Sequence, residues 1–307
     1  MELVHDPEAL RAYSYPVVAL GNFDGVHAGH QEILRTAIER ARAAGGHAFA
    51  LTFEPMPARV LVPEHAPRLI LTPEDKIELL RSSGIDGVLV LEFTHELSRL
   101  TPRDFAREYL LGRMGARSVV VGHSVSFGHN RAGNADVMEE LGRELGFETT
   151  VVGPVKVDGI EASSTRIREA IAAADLRVAA MLLGRPHFIT GPVVHGRERG
   201  RTIGFPTANI RSLTESIPPD GVYATRLILP DGAYPSITNI GMRPTFNEPE
   251  RTIEAHVFDF DRDIYDQTVK LELIERIRPE RKFESAAALG AQIASDLKRA
   301  RELLATA

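Results

Sequence analysis

Cysteine is absent from all 307 residues. That excludes disulfides, thiolate nucleophiles and cysteine-ligated zinc together. An excess of positive charge is missing too: 36 Lys and Arg stand against 42 Asp and Glu, a net charge of -6. A broad nucleic-acid surface needs clustered Lys and Arg to neutralise phosphates, so no nucleic-acid partner is expected. A local basic site for a small phosphorylated ligand remains compatible with this balance. No apolar run is long enough to span a bilayer, and the opening "MELVHDPEAL" lacks a basic start followed by an apolar core. The expectation is a cytoplasmic chain with no membrane partner, a monomer or weak homo-oligomer, acting on small-molecule substrates.

What is present is material for two domains. The length is about twice that of a typical domain, and a hydrophobic fraction of 43% with 25% charged residues is ordinary for a globular protein. The first part alternates strand-like runs with helical periodicity. "PVVALGNF" precedes "HQEILRTAIERARAAG", where Ile33, Leu34, Ala37, Ile38 and Ala41 share one face and Gly45 can end the helix. Strands "HAFALTF", "DGVLVLEF", "SVVVG" and "FETTVVGPVKV" follow, separated by helices "TPEDKIELLRSSG", "TPRDFAREYLLGRMG" and "NADVMEELGRELG". "TPED" and "TPRD" each combine a Thr N-cap with Pro at the first helical position. Such alternation predicts a parallel sheet wrapped by helices. Two short helices in "STRIREAIAAADLRVAAMLLG" lead to a change of grammar near Gly184, after which strands and turns succeed each other up to one closing helix, "SAAALGAQIASDLKRARELLA". The fold class predicted is a Rossmann-like α/β domain over residues 1–184, followed by an antiparallel β-barrel with a C-terminal helix over 185–307.

In an open parallel sheet, ligands settle beyond the carboxyl ends of strands. "GNFDGVHAGHQEIL", Gly21 to Leu34, occupies such a place. Its glycines let backbone N–H groups approach a ligand, the helix start favours an anion, and His27 and His30, three apart, can donate to phosphate oxygens. Two familiar phosphate cradles are excluded, because there is no GxGxxG here and the lysine of the P-loop is missing. These residues resemble the HxGH nucleotidyltransferases, whose second signature is similar to "SSTRIR", Ser163 to Arg168. The resemblance implies that His27 and His30 stabilise charge on the α-phosphate and that Arg166 holds the departing pyrophosphate. It further implies that Gly21, Phe23, Asp24, Gly29, Ser163, Ser164 and Thr165 bind ATP, with Asp24 shaping the loop.

In the second part, "GPVVHGRERGRTIGFPTANI", Gly191 to Ile210, fails as a P-loop: Gly196 and Gly200 are one residue too close, Arg201 replaces the lysine, and Pro206 prevents a following helix. It resembles the GFPTAN signature of riboflavin kinases. With "PPDGVYA", "SITNIGMRPTF", "IEAHVFDF" and "IRPERKFES" in the same order, nearly the whole chain is similar to the bifunctional prokaryotic riboflavin kinase/FAD synthetase family. Phosphoryl transfer to an alcohol needs a metal, donors for developing charge and a base. Thr207 and Asn209 carry hard oxygens suited to Mg2+. The resemblance assigns them, with Gly196, Gly204 and Pro206, to Mg-ATP. In "TIEAHVF" a period of two sets Ile253, Ala255 and Val257 on one face and Glu254, His256 and Phe258 on the other. If the first face is the packed one, the pattern alone leaves Glu254 simply solvated. The resemblance points Glu254 at the ribityl hydroxyl as general base. Phe205, Arg278, Glu280 and Phe283 are candidates for flavin contacts in this half, as are Phe127 and Arg131 in the first.

The first half departs from the family at two places. Where the family carries VxGxDFxFGxxRxG, this chain reads "VVGHSVSFGHNRAG", with Ser124 and Val125 replacing an acidic and an aromatic residue, and Met56 stands for the histidine of TFxPHP. The expected activity is phosphorylation of riboflavin to FMN and adenylylation of FMN to FAD, both with ATP and Mg2+. The alternatives are a kinase whose first domain survives as a regulatory nucleotide- or flavin-binding module, a nucleotidyltransferase with another acceptor such as nicotinamide mononucleotide or phosphopantetheine, and a non-enzymatic binding protein.

Overall fold

A computed structural model describes residues 2–4, 6–195, 206–243 and 250–306. The chain forms two compact units, Met1–Ser164 and Thr165–Ala307.

The first unit is built on a six-stranded, all-parallel sheet in the order β1-β4-β3-β2-β5-β6. Its strands are β1 (Glu2–Val4), β2 (Pro16–Leu20), β3 (His47–Glu54), β4 (Gly87–Glu92), β5 (Ser118–Gly122) and β6 (Glu148–Val152). Every residue of β2 is buried, as a central parallel strand covered on both faces requires. β2 pairs with β3 on one side and with β5 on the other, so the strand order reverses around it. The crevice beyond its carboxyl end is therefore the expected ligand position. Helix α1 (Ala28–Ala43) starts there and buries Ile33, Leu34, Ala37 and Ala41, the face its periodicity predicted. Further along the chain lie α2 (Pro57–Leu61), α3 (Pro73–Ser82), α4 (His95–Ser98), α5 (Pro102–Phe105) and α6 (Ala135–Leu145). Thr72 and Thr101 cap α3 and α5, each accepting from the N–H three residues on, at 3.1 Å.

Two local expectations are corrected. The stretch read as one α-helix from Pro102 to Met114 keeps α geometry only through Phe105 and then winds as a π-helix over Ala106–Arg113, with Met114 N–H donating to Tyr109 O at 3.0 Å. Leu110, in the wider turn, and Phe105, just ahead of it, are both buried in the same core cluster. "FETTVVGPVKV" is not one strand. β6 ends at Val152 ahead of Gly153 and Pro154, and β7 (Lys156–Val157) pairs instead with β8 (Ile160–Glu161) as a small hairpin. Proline has no N–H to continue the ladder.

Helix α7 (Ser164–Ala172), which from Thr165 onward belongs to the second unit, is followed by α8 (Leu176–Leu183). A closed antiparallel barrel follows in the order β10-β13-β12-β11-β14-β9. Its strands are β9 (His187–Val194), β10 (Ala208–Ile210), β11 (Gly221–Leu229), β12 (Gly232–Arg243), β13 (Glu250–Val257) and β14 (Thr268–Pro279). Period-two alternation sends Tyr223, Leu227, Ile240, Ile253, Ala255, Val257 and Leu271 into one interior core. Thr225, Ser236 and Thr238 are also fully buried and satisfy one another, with hydroxyl separations of 2.7 and 2.8 Å from Thr225. On the outside, the C-terminal helix (Ala286–Thr306) packs Ala300 and Leu297 against Ala224, Ile237 and Phe258. Among the described residues no helix is long and apolar enough to cross a membrane.

Candidate active sites

The turn leaving β2 is held under strain. Phe23 and Val26 adopt left-handed conformations with φ of 52° and 42°, costly for an aromatic and more so for a β-branched residue. Asp24 shows what holds it. The carboxylate is buried and accepts the Ile70 N–H at 3.0 Å and the Leu71 N–H at 3.4 Å, while its backbone carbonyl accepts Ser164 Oγ at 2.9 Å. The first signature and the start of the second are thus joined by a hydrogen bond.

His27 is the N-cap of α1, its Nδ1 accepting the His30 N–H over a long 3.4 Å. With Nδ1 accepting, a neutral ring carries its proton on Nε2 as a donor. The two imidazoles stack, with centroids 3.7 Å apart and planes inclined by 20°. His30 also rests edge-on against the Phe23 ring at 5.3 Å. Burial, and secondarily the neighbouring His27, hold the His30 pKa well below 6.5, so this ring is neutral at pH 7. Its Nδ1 is sealed from solvent and has no hydrogen-bond partner among the described residues. An orphaned polar atom at a helix start is what an anion site leaves before its anion arrives. Gly29 fits between these parts: a Cβ there would lie 3.1 Å from His27 Cε1 and 3.3 Å from the Ala162 carbonyl.

The other residues expected in this half fall as follows. Gly21 lies over the Phe23 ring, where a Cβ would approach to 3.2 Å. Ser163 is half-buried just ahead of α7. Thr165 and Arg166 lie in the second unit, where the exposed Arg166 guanidinium pairs with Glu169 at 3.0 Å. The Phe127 ring packs on the first unit's core, 6.1 Å from Phe105, and Arg131 is exposed with a φ of 59°. A small cleft is lined by Asp24 and by Glu54 and Met56 of "TFEPMP", together with Asn22, Thr72 and Lys76, which sequence reasoning did not single out. Lys76 is buried there, donating to the Phe53 carbonyl at 3.2 Å and to Glu54 Oε2 at 3.3 Å. Nothing in the helical pattern distinguishes this lysine from a solvated one.

In the barrel, Asn209 and Glu254 are register partners across β10 and β13, and Asn239 of β12 is the partner of Glu254 on its other side. Ala208, Ile210, Ile253 and Ala255 face the interior core. All three polar side chains therefore share the outer face in one row, with neighbouring Cβ atoms about 5 Å apart. The packed face is the one containing Ile253, yet Glu254 is only half-exposed. Continuing the register one residue sets Thr207 opposite His256, whose Nδ1 stands 2.8 Å from the Pro206 carbonyl. Asn239 is a site neighbour that the sequence reading did not single out, and alternation along "TIEAHVF" puts His256 on the Glu254 face without giving it a role. Gly196, Gly204 and Phe205 lie outside the described residues. Arg278 is tied to the buried Asp296 at 2.9 Å, and the guanidinium groups of Arg278 and Arg281 cover the Phe283 ring at 5.5 and 4.8 Å. Glu280 is exposed, its carboxylate close to Gly241.

One unit thus carries a strained turn with two stacked histidines at a helix start, and the other a carboxylate flanked by two amides on the outer wall of a barrel; family models for two transferases match the two halves of the chain. The FAD synthetase family matches residues 11–166 and the riboflavin kinase family residues 183–304. A Pseudomonas fluorescens protein named bifunctional riboflavin kinase/FMN adenylyltransferase is 37% identical, covering 99% of this chain and 98% of its own length. A Bacillus subtilis protein of the same name is 38% identical over 92% of this chain and 91% of its own. A crystal structure described as a macrolide-efflux protein from Streptococcus pneumoniae superposes with a TM-score of 0.88 at 34% identity, covering 98% of both chains. The chain belongs to the bifunctional riboflavin kinase/FMN adenylyltransferase family.

Proposed function

We propose that this chain converts riboflavin to FAD in two ATP-consuming steps, one in each family-matched segment. The observation that carries the reading is that the two matched segments, 11–166 and 183–304, each contain one of the two constellations above. The same observation disfavours a first domain reduced to regulation.

In the first step the ribityl hydroxyl oxygen attacks the γ-phosphorus of ATP, the bond to ADP breaks, and Glu254 takes the hydroxyl proton. Support comes from the half-exposed carboxylate between Asn209 and Asn239. Thr207 Oγ1 and Asn209 Oδ1, hard oxygens on the Glu254 face, fit Mg2+ bound with ATP and would hold it. When bound, Mg2+ supplies neutralisation of the phosphate charge. Pro206 immediately precedes Thr207 and the strand that carries Asn209, and Gly196, Phe205 and Gly204 complete the proposed nucleotide and flavin contacts from outside the described residues. Arg278, Glu280 and Phe283 form the proposed flavin edge.

In the second step an FMN phosphate oxygen attacks the α-phosphorus of a second ATP and pyrophosphate leaves. His27 and His30 donate to the oxygens on which charge builds, and Gly21, Phe23, Asp24, Gly29, Ser163, Ser164 and Thr165 shape the nucleotide loop. Arg166 holds the departing pyrophosphate, and Phe127 and Arg131 belong to the FMN side. We place the functional division after Gly184, a position supported by the kinase match beginning at 183. The protein works in the cytoplasm as a monomer or weak homo-oligomer, without nucleic acid.

Incubation with FMN, ATP and Mg2+ tests the adenylyl step by itself. FAD and pyrophosphate in equal amounts are expected. Intact riboflavin phosphorylation with no FAD would leave the kinase-only alternative standing.

A further inference from the structure

The β10–β13 ladder begins at the pair Ala208 and Ala255. Pro206 and Thr207 therefore lie ahead of its paired residues, and Thr207 must still be held if its hydroxyl is to meet a ligand. One contact that reaches past the ladder is the 2.8 Å bond between His256 Nδ1 and the Pro206 carbonyl. A carbonyl only accepts, so Nδ1 carries the proton here. The ring also meets Phe258 edge-on at a centroid distance of 6.0 Å, and Phe258 is itself buried against the C-terminal helix. A chain of contacts thus runs from a rigid part of the barrel to the residue preceding Thr207.

We propose that His256 is a positioning residue for the kinase centre: its Nδ1–H fixes the Pro206 carbonyl and thereby sets Thr207 and Asn209 for the nucleotide. The inference rests on the assignment of riboflavin phosphorylation to this barrel. It explains why an imidazole stands two residues after Glu254 on the same face. His256 holds the turn on β10, while Glu254 faces Asn209 one register step away.

The test compares His256→Phe with His256→Asn in the full chain. Asparagine places an amide N–H near the position of Nδ1, whereas phenylalanine keeps the ring and loses the donor. A net hydrogen bond of ~1 kcal/mol corresponds to about a five-fold effect. His256→Phe is expected to raise the KM for ATP in riboflavin phosphorylation about five-fold and to leave the KM for ATP in FMN adenylylation unchanged. The amides of Thr207 to Ile210 should exchange with solvent about five-fold faster, and the Tm should hold. His256→Asn should restore both the KM and the exchange rate. The inference is overturned if His256→Phe leaves both at wild-type values, if His256→Asn behaves like His256→Phe, or if ATP and riboflavin KM rise together with a lowered Tm. A wild-type chain that fails to phosphorylate riboflavin would instead overturn the kinase assignment, with the exchange rates still reporting on the bond.

Discussion

Asn209 and Glu254 stand directly opposite each other across β10 and β13, and their side chains leave the barrel on the same outer face. Strand pairing thus brings the last amide of the GFPTAN motif beside a carboxylate 45 residues later in the chain. Asn209→Ala is expected to raise the KM for ATP in the kinase reaction about ten-fold with FMN adenylylation unchanged. Asn209→Asp keeps a hard oxygen but sets a second carboxylate against Glu254, a like-charged cross-strand pair that costs roughly 0.2–1 kcal/mol. Its barrel should melt below that of Asn209→Ala in the absence of nucleotide. Equal melting of the two variants would contradict the shared face.

Gly29 separates activity from stability in the first unit. A Cβ at this position meets the His27 ring at 3.1 and 3.2 Å, so Gly29→Ala should displace the imidazole by a few tenths of an ångström. Within α1, alanine is itself favoured over glycine by about 0.5–1 kcal/mol. The variant is expected to lose adenylyl transfer about ten-fold while melting no lower than wild type. Loss of both together would show that the ring has nowhere to move and that the fold gives way instead.

His187 gives the barrel an acid limit. It is fully buried, with Nε2 donating to the Ser216 carbonyl at 2.8 Å, and burial lowers its pKa to about 4 despite that bond. Between pH 6.5 and 4 the unfolded chain takes up a proton that the folded barrel refuses. Stability is therefore unaffected by this group above pH 6.5 and falls as pH drops toward 4, by about 3 kcal/mol in all. Calorimetric melting of the barrel transition between pH 8 and 5 should show this slope. His187→Gln, which keeps a donor without titrating, should flatten it. An unchanged slope would assign the acid sensitivity elsewhere.

These relationships were unequally visible in the amino-acid order. The parallel sheet was legible because strands such as "PVVAL" and helices such as Ala28–Ala43 each carry their own periodicity. The inner face of β13 could be read from alternation alone, but its choice of neighbours could not, since pairing with Asn209 and Asn239 depends on barrel order. The π-helical turn over Ala106–Arg113 was invisible because the apolar spacing of the segment reads equally well as an ordinary α-helix. Lys76 was missed because only the fold reveals the Phe53 carbonyl and Glu54 that receive it. The histidine pair could be found from spacing, whereas the Ile70 and Leu71 N–H groups that anchor Asp24 lie more than forty residues away.

The most direct measurement of the two-centre account is chromatographic separation of flavins formed from riboflavin, ATP and Mg2+ by the wild type, His30→Ala and Glu254→Gln. The wild type should produce FMN first and FAD after it. His30→Ala should accumulate FMN with FAD formation reduced at least ~100-fold. Glu254→Gln should form FMN from riboflavin at least ~100-fold more slowly, yet make FAD normally when supplied with FMN. FAD formation by His30→Ala at the wild-type rate, loss of FMN formation in His30→Ala, or failure of Glu254→Gln to make FAD from supplied FMN, each with folding intact, would contradict the account.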